Sequence, residues 1–499
     1  MPSFDGLSRG LGALAAILGT YAASVYWRAG LSLSHYDAKA HLVVARRIFD
    51  SLTPSWEQIG AVWLPLPHLI NAIPVQNDFF YRTGAFAIAV SIVSFAITTA
   101  CVSAIVRSLS GSRTGGFLAA ALFALNPNVL YLQSTPMTEP LLFALASLVV
   151  LHLIEWAKSE VPRARAAVGW IIVAACLTRY EAWPIVGAAI VAAAYVKWRR
   201  GLPPIAVVHE AARLTVYPIA TVIFFMAMSF ASTGQWFVTG GFYVPDPKLQ
   251  GQPLVVWEAI RTGVEGLAGT RFVQASSIAV VLVALASMRR RWAGLLLTLA
   301  PLAAIALPFY AFVSGHPFRI RYEVPLILGG AVAIGAAVSM LRWLAPLAAI
   351  PLLIAIQIQV PPFSELAPMT IEAQLDRNNS NGRRAVTDCL KRSYDGTTIM
   401  ASMGSLAHYM QELSLAGFDL ADFMHEGSGP IWQYAYYREP SLFAGWVLVE
   451  EAAEGGDMLY QKQKSWPGFL AAYDRVCEGG NVALYRRRGG SSDPPVRRD

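Results

Sequence analysis

Residues 84–106 read GAFAIAVSIVSFAITTACVSAIV, without one charged side chain. Wound as a helix at about 1.5 Å per residue, this run crosses the roughly 30 Å of hydrocarbon in a bilayer. Ten more apolar runs of spanning length, or close to it, lie around it: roughly 7–27, 115–132, 140–157, 166–178, 182–196, 213–232, 272–288, 292–313, 323–341 and 343–360. The short pair 166–178 and 182–196 reads either as a hairpin of tilted spans or as a re-entrant pair. The first run has the outline of a signal peptide. Arg9 is its only cation and further spans follow, so it reads as a retained first span.

Composition agrees. Of 499 residues 55% are hydrophobic and 14% charged, and mean hydropathy is +0.46. Soluble domains carry about a quarter charged residues. The net charge of +7 is no nucleic-acid signature, because its Lys and Arg gather in short loops between apolar runs. With the N-terminus inside, the inner loops hold Arg107 and Arg113; Lys158, Arg163 and Arg165; Lys197, Arg199, Arg200 and Arg213; Arg289, Arg290 and Arg291; and Arg342. The short outer loops hold Arg179, Arg319 and Arg321. Eleven spans then put two long loops, 28–83 and 233–271, and the C-terminal region outside.

Residues 1–360 therefore read as a membrane domain. Residues 361–488 mix polarities, with β-like runs TTIMAS (397–402), GWVLVEE (445–451) and NVALYRR (481–487) between helical patterns. That is the pattern of a small α/β domain. Residues 489–499 read as a disordered tail. There is no solenoid repeat, phosphate loop, CxxC pair or HExxH. The loop from 50 to 80, with Trp56, Trp63, Pro65, Pro67 and Pro74, reads as short helices at headgroup level.

Four polar clusters stand at span boundaries, all on the outer side: Ser34–His41 around Asp37 and Lys39, Ser134–Pro140 around Glu139, Thr178–Pro184 with Arg179 and Glu181, and Gly315–Glu323 with His316, Arg319, Arg321 and Tyr322. Each has a structural reading as well. Ser34 and Asp37 fit a capping box opening a helix through Phe49. Thr138, Glu139 and Pro140 fit a helix start. Arg179 and Glu181 fit a local ion pair, and the paired arginines fit interfacial snorkelling. Two carboxylates facing one outer cavity suggest acid–base chemistry, and arginine is the natural partner of phosphate.

The pattern resembles the GT-C superfamily of polytopic glycosyltransferases, in particular the bacterial branch akin to protein O-mannosyltransferases and lipid A aminoarabinose transferases. The resemblance covers most of residues 1–345. It rests on Tyr36-Asp37 in the first outer loop, on Leu125-Asn126-Pro127-Asn128 with Thr138-Glu139-Pro140, and on Arg321-Tyr322 before a late span. It implies transfer of a hexosyl or pentosyl group, with inversion, from a polyprenyl-phosphate carrier to an acceptor hydroxyl at the outer face of a bacterial-type inner membrane. The fold implied is an α-helical polytopic membrane protein of about eleven spans, with a small C-terminal α/β extracytoplasmic domain. Many relatives carry an acidic pair in the first loop and this chain one acid. No cofactor is expected, and the sequence does not support a divalent cation. Partners are the polyprenyl-phosphate sugar, membrane lipid and an unidentified acceptor, with no nucleic acid.

The residues fit that chemistry by themselves. An acceptor hydroxyl needs a carboxylate base, for which Asp37 is the candidate with Glu139 beside it. A phosphate leaving group needs cations, for which Arg179, Arg319, Arg321 and Lys39 are candidates. His41, Tyr36, Glu181, Tyr322 and His316 are candidates for holding substrate. The rival readings are a secondary transporter and a non-catalytic protein handling lipid-linked glycans. Transporters place ionisable groups near the midplane, usually within inverted repeats; here they cluster at one boundary. Of four Cys, Cys101 and Cys176 lie in spans. Cys389 and Cys477 share the C-terminal domain, where one disulfide is expected.

Overall fold

The structure is a computed structural model that describes residues 4–160, 166–238 and 244–489. Arg163, Arg165, part of the second outer loop and the tail from 490 lie outside the described residues.

Among the described residues, eight helices are long and apolar enough to cross a membrane: Gly6–Arg28, Ala85–Ser110, Glu139–Lys158, Pro204–Thr233, Thr270–Ser287, Arg290–Val313, Ile320–Ser339 and Arg342–Gln359. The other apolar runs form shorter or less apolar helices, Arg113–Ala124, Ala166–Cys176 and Ala182–Arg199. Ile320–Ser339 is the central helix, 94% buried over its apolar window, whereas Arg342–Gln359 is 17% buried over its own and leaves most of its side chains uncovered by the protein. Small residues let the central helix approach its neighbour. A Cβ on Gly335 would stand 2.6 Å from the carbonyl oxygen of Gly115, and one on Gly115 2.5 Å from that of Gly335.

Two expected spans differ from their sequence reading. The run 115–132 is not one helix. Arg113–Ala124 stops and Asn126 caps a new turn, Pro127–Leu132, its side chain accepting from the N–H groups of Asn128 and Val129. The amides of Asn126 and Asn128 both donate to Leu267 O, at 2.9 and 2.8 Å. The run 213–232 begins already at Pro204, so Arg213 lies on a helix rather than in a loop.

The first outer loop is folded: Tyr36–Arg46 is followed by the short helices Trp56–Ile59, Leu66–Ala72 and Asp78–Thr83. The C-terminal region holds a five-stranded sheet. Its strands are β1 (Ile399–Ala401), β2 (Phe423–Met424), β3 (Trp446–Glu450), β4 (Tyr473–Gly479) and β5 (Val482–Arg487), in the order β2-β1-β3-β5-β4. β1 runs parallel to β2 and β3, and β5 antiparallel to β3 and β4. Alternation sends Ile399, Ala401, Trp446 and Leu448 to one face and Met400, Val447 and Val449 to the other. The first face shares one apolar core with Ala40, Leu42, Val43 and Ala45 of the outer-loop helix. The long helix Pro368–Ser393 joins the last span to the sheet, and Cys389 and Cys477 form a disulfide, with Cα atoms 6.5 Å apart.

Candidate active site

Three helices start at one place. Asp37 lies in the first turn of Tyr36–Arg46, Glu139 opens Glu139–Lys158, and Glu181 is the residue before Ala182–Arg199. Their positive ends favour carboxylates. The three acids are 6%, 0% and 1% exposed. Buried carboxylates need partners, and two arginines supply them. Arg321 pairs with Asp37 through Nη2 and reaches Glu139 Oε1 through Nε at 3.4 Å. Arg179 lies 3.0 Å from the same Glu139 oxygen, 2.7 Å from Glu181, and donates to Thr138 Oγ1 at 2.9 Å. The result is a continuous chain, Asp37–Arg321–Glu139–Arg179–Glu181, with one carboxylate more than the guanidinium groups neutralise.

The electrostatics follow from this chain. Burial alone would raise the Asp37 pKa, but the Arg321 charge brings it down to about 2. Burial would lower the pKa of Arg179, and Glu139 and Glu181 push it above the ordinary arginine value instead. His41 shares a helix face with Asp37. Burial holds its pKa well below the ordinary value, so its ring is neutral.

Local geometry departs from the sequence reading at the first cluster. Ser34 is not the cap: its hydroxyl donates to Leu31 O at 2.9 Å. His35 caps instead, its Nδ1 accepting from Asp37 N at 3.2 Å, and the helix ends at Arg46 rather than Phe49. Tyr36 stacks on His35 with ring centroids 4.9 Å apart, and its N–H donates to Asp376. Tyr322 and His316 meet each other, Oη to Nε2 at 3.4 Å. Arg319 stands at the head of the short turn Ile320–Glu323, and its charge reaches Tyr36.

Lys39 goes elsewhere. Its ammonium lies 2.6 Å from Glu412 and 2.9 Å from Ser380 Oγ, and Arg383 holds the same carboxylate at 2.7 Å. It joins the outer loop to the C-terminal domain. The sequence reading missed Glu412 and Arg383, which look like any surface charges on a polar helix. It also missed His68 and Trp63, whose rings lie 5.2 and 4.2 Å from that of His41.

Beside the chain of charges opens a narrow crevice of about 20 Å³ between helix Leu66–Ala72 and the spans Ala85–Ser110 and Glu139–Lys158. Ile70, Val90 and Leu141 make it apolar, and Met137 and Thr138 bring it up against Glu139. Among the described residues no group of three or more His, Cys, Asp or Glu is placed to hold a metal ion.

This is a mostly helical integral membrane protein with an ArnT-like fold. In particular, the chain is similar in structure to ArnT from Cupriavidus metallidurans. Against ArnT bound to undecaprenyl phosphate the TM-score is 0.57 at 13% identity, over 96% of this chain and 99% of that one. Against the apo state it is again 0.57 at 13%, over 94% and 97%. No protein family's sequence profile matches the chain, and no curated protein matches it in sequence. The likeness is thus one of fold.

Proposed function

We propose that this protein is a membrane glycosyltransferase, moving a sugar from a polyprenyl-phosphate donor to an acceptor hydroxyl at the outer face of the membrane. One observation carries the reading: Asp37 and Glu139, far apart in sequence, share the guanidinium of Arg321 where three helix N-termini meet, at the end of an apolar crevice. Narrow as it is, the crevice has an apolar lining that matches a prenyl chain in chemistry. The guanidinium groups suit the phosphate attached to it.

As the site rests, Asp37 is a poor base, because Arg321 holds its charge. An incoming donor phosphate competes for that guanidinium. Asp37 then loses its counter-charge, its basicity rises, and it takes the proton from the acceptor hydroxyl. The acceptor oxygen attacks the anomeric carbon from the face opposite the phosphate. The carbon–oxygen bond to phosphate breaks with its electron pair leaving on the phosphate, and the anomeric configuration inverts. Arg321 and Arg179 carry the charge that develops on the leaving group. Glu139 holds both guanidinium groups in register. An outer location of this chemistry is supported by the positive-inside pattern and by the disulfide of the C-terminal domain, a bond that persists in oxidising compartments.

The test is incubation of the purified protein with polyprenyl-phosphate sugars, with mass spectrometry of the products. Sugar-dependent release of polyprenyl phosphate, absent in Asp37→Asn, is the expected result. A folded wild-type protein that neither binds nor turns over any such donor overturns the reading.

A further inference from the structure

Arg47 lies just past the end of the helix that carries Asp37 and is 8% exposed. Its one side-chain hydrogen bond runs from Nη2 to Ile59 O at 3.4 Å, its Nε has no partner, and among the described residues no carboxylate forms an ion pair with it. Its neighbour Arg46 is held by Asp50 and Asp78, both at 2.7 Å. The carboxylate whose charge acts on Arg47, Glu426, is already bound to Ser402 Oγ and Met403 N. A buried guanidinium without an anion is costly.

Arg47 is not alone. Both ring nitrogens of His41 and of His68, Nε2 of His425 and Oε1 of Gln58 are buried with no hydrogen-bond partner. His68 is 1% exposed and His425 fully buried. The charge of Arg47 acts on both of these rings, second to burial, and each has its pKa lowered to about 3, so both are neutral. Gln58 donates to Gly427 O at 2.8 Å, which puts the group on the seam between the first outer loop and the C-terminal domain. A neutral imidazole donates with one nitrogen and accepts with the other, as a sugar hydroxyl requires. Trp63, beside His41 and His68, adds an apolar face. Buried polar atoms left unpaired in such numbers at one seam point to a missing ligand.

We propose that this seam binds the acceptor, and that the acceptor is a polyhydroxylated molecule with an anionic group, phosphate or carboxylate, held by Arg47. The proposal rests on the transferase reading and adds the chemistry of the acceptor to it. The donor phosphate does not fit here. It is bonded to the carbon that the acceptor attacks and so belongs beside Asp37, whereas Arg47 follows Asp37 by about 15 Å of helix axis. His41 and His68 lie along the way, so an acceptor that reaches from the anion site to the base is longer than one sugar ring.

The experiment uses the full chain in detergent, saturated with undecaprenyl phosphate to fill the donor site, and titrates glucose 6-phosphate and glucose as probes. Wild-type protein is expected to bind the phosphorylated sugar at least about tenfold more tightly. Arg47→Gln should abolish that preference, Arg47→Lys should keep part of it, and His68→Phe should weaken both sugars. Equal preference in wild type and Arg47→Gln overturns the proposal. So does displacement of glucose 6-phosphate when undecaprenyl phosphate is added to wild-type protein not previously saturated with it, a result that needs no variant, or failure of wild type to bind either sugar. If undecaprenyl phosphate itself does not bind, the donor assignment fails, while the Arg47-dependent preference still decides the anion site.

Discussion

Asp37 and His41 are one helical turn apart and share a face, and Lys39, halfway between, lies on the opposite one. That spacing is why Asp37 and the His41 ring lie on one side of the helix while the lysine turns to Glu412. If Asp37 is the base, Asp37→Asn lowers kcat by about 10²–10⁴-fold with donor binding retained; near-normal turnover would remove the assignment. Arg321→Lys keeps the charge and loses the fork that spans Asp37 and Glu139, so the donor KM should rise more than kcat falls. The Asp37 pKa also sets an acid limit. Its folded value of about 2 lies below the ordinary 3.8. The stabilisation is therefore complete above the unfolded value and disappears as pH falls from roughly 4 to 2. By linkage it is about 2 kcal/mol. Unfolding followed against pH should show wild type losing more stability than Asp37→Asn across that window.

At the scale of elements, contact between Arg113–Ala124 and the central helix depends on the absence of side chains at Gly115 and Gly335. A Cβ at Gly335 would also stand 2.7 Å from the Cβ of Ala119, and the helices would have to separate. Gly335→Ala is expected to destabilise by about 1–3 kcal/mol. Gly187→Ala, where nothing lies within 4 Å of the new methyl group, should be neutral or slightly stabilising. Thermal unfolding in detergent compares the two, and equal midpoints would refute the close-packing account. The central helix also carries the site, because its leading turn, Ile320–Glu323, delivers Arg321 to the junction of the three N-termini. On a 3₁₀ turn, residues two apart diverge, so Arg319 and Arg321 do not form one fork.

For the whole molecule, the loop 28–83 and the C-terminal domain behave as one body: they share a core, the Lys39–Glu412–Arg383 cluster, and hydrogen bonds donated by Leu420 N and Ala421 N to the Asp50 carboxylate. The Cys389–Cys477 bridge closes a separation of 88 residues in that body. The chain-entropy model gives such a loop roughly 4–5 kcal/mol. Replacing both cysteines by serine should lower the unfolding midpoint of the outer body. In wild-type protein denatured without reductant, only Cys101 and Cys176 should titrate as thiols. Four titratable thiols would refute the bridge.

The membrane class was legible in the sequence because the cost of placing charge in hydrocarbon is local: each apolar run declares itself without knowledge of its neighbours. The β-like runs at 397–402, 445–451 and 481–487 were legible for the same reason, since strand alternation is a short-range pattern. β2 was not, being two residues long and formed only by pairing with β1. Nor was β4, mostly exposed and polar, which exists through β5 and a bulge. The break at Leu125–Asn126 depends on Leu267, far along the chain, to receive two amides. The acids and arginines at the span boundaries stood out in the sequence, but their order along one chain of charges did not. Nor did the sequence separate Lys39 from the other cations, or Arg47 from its paired neighbour Arg46. Those distinctions depend on which partner the fold brings within about 3 Å. Ion pairing and desolvation are set by distances between segments remote in sequence, so only the tertiary structure could decide them.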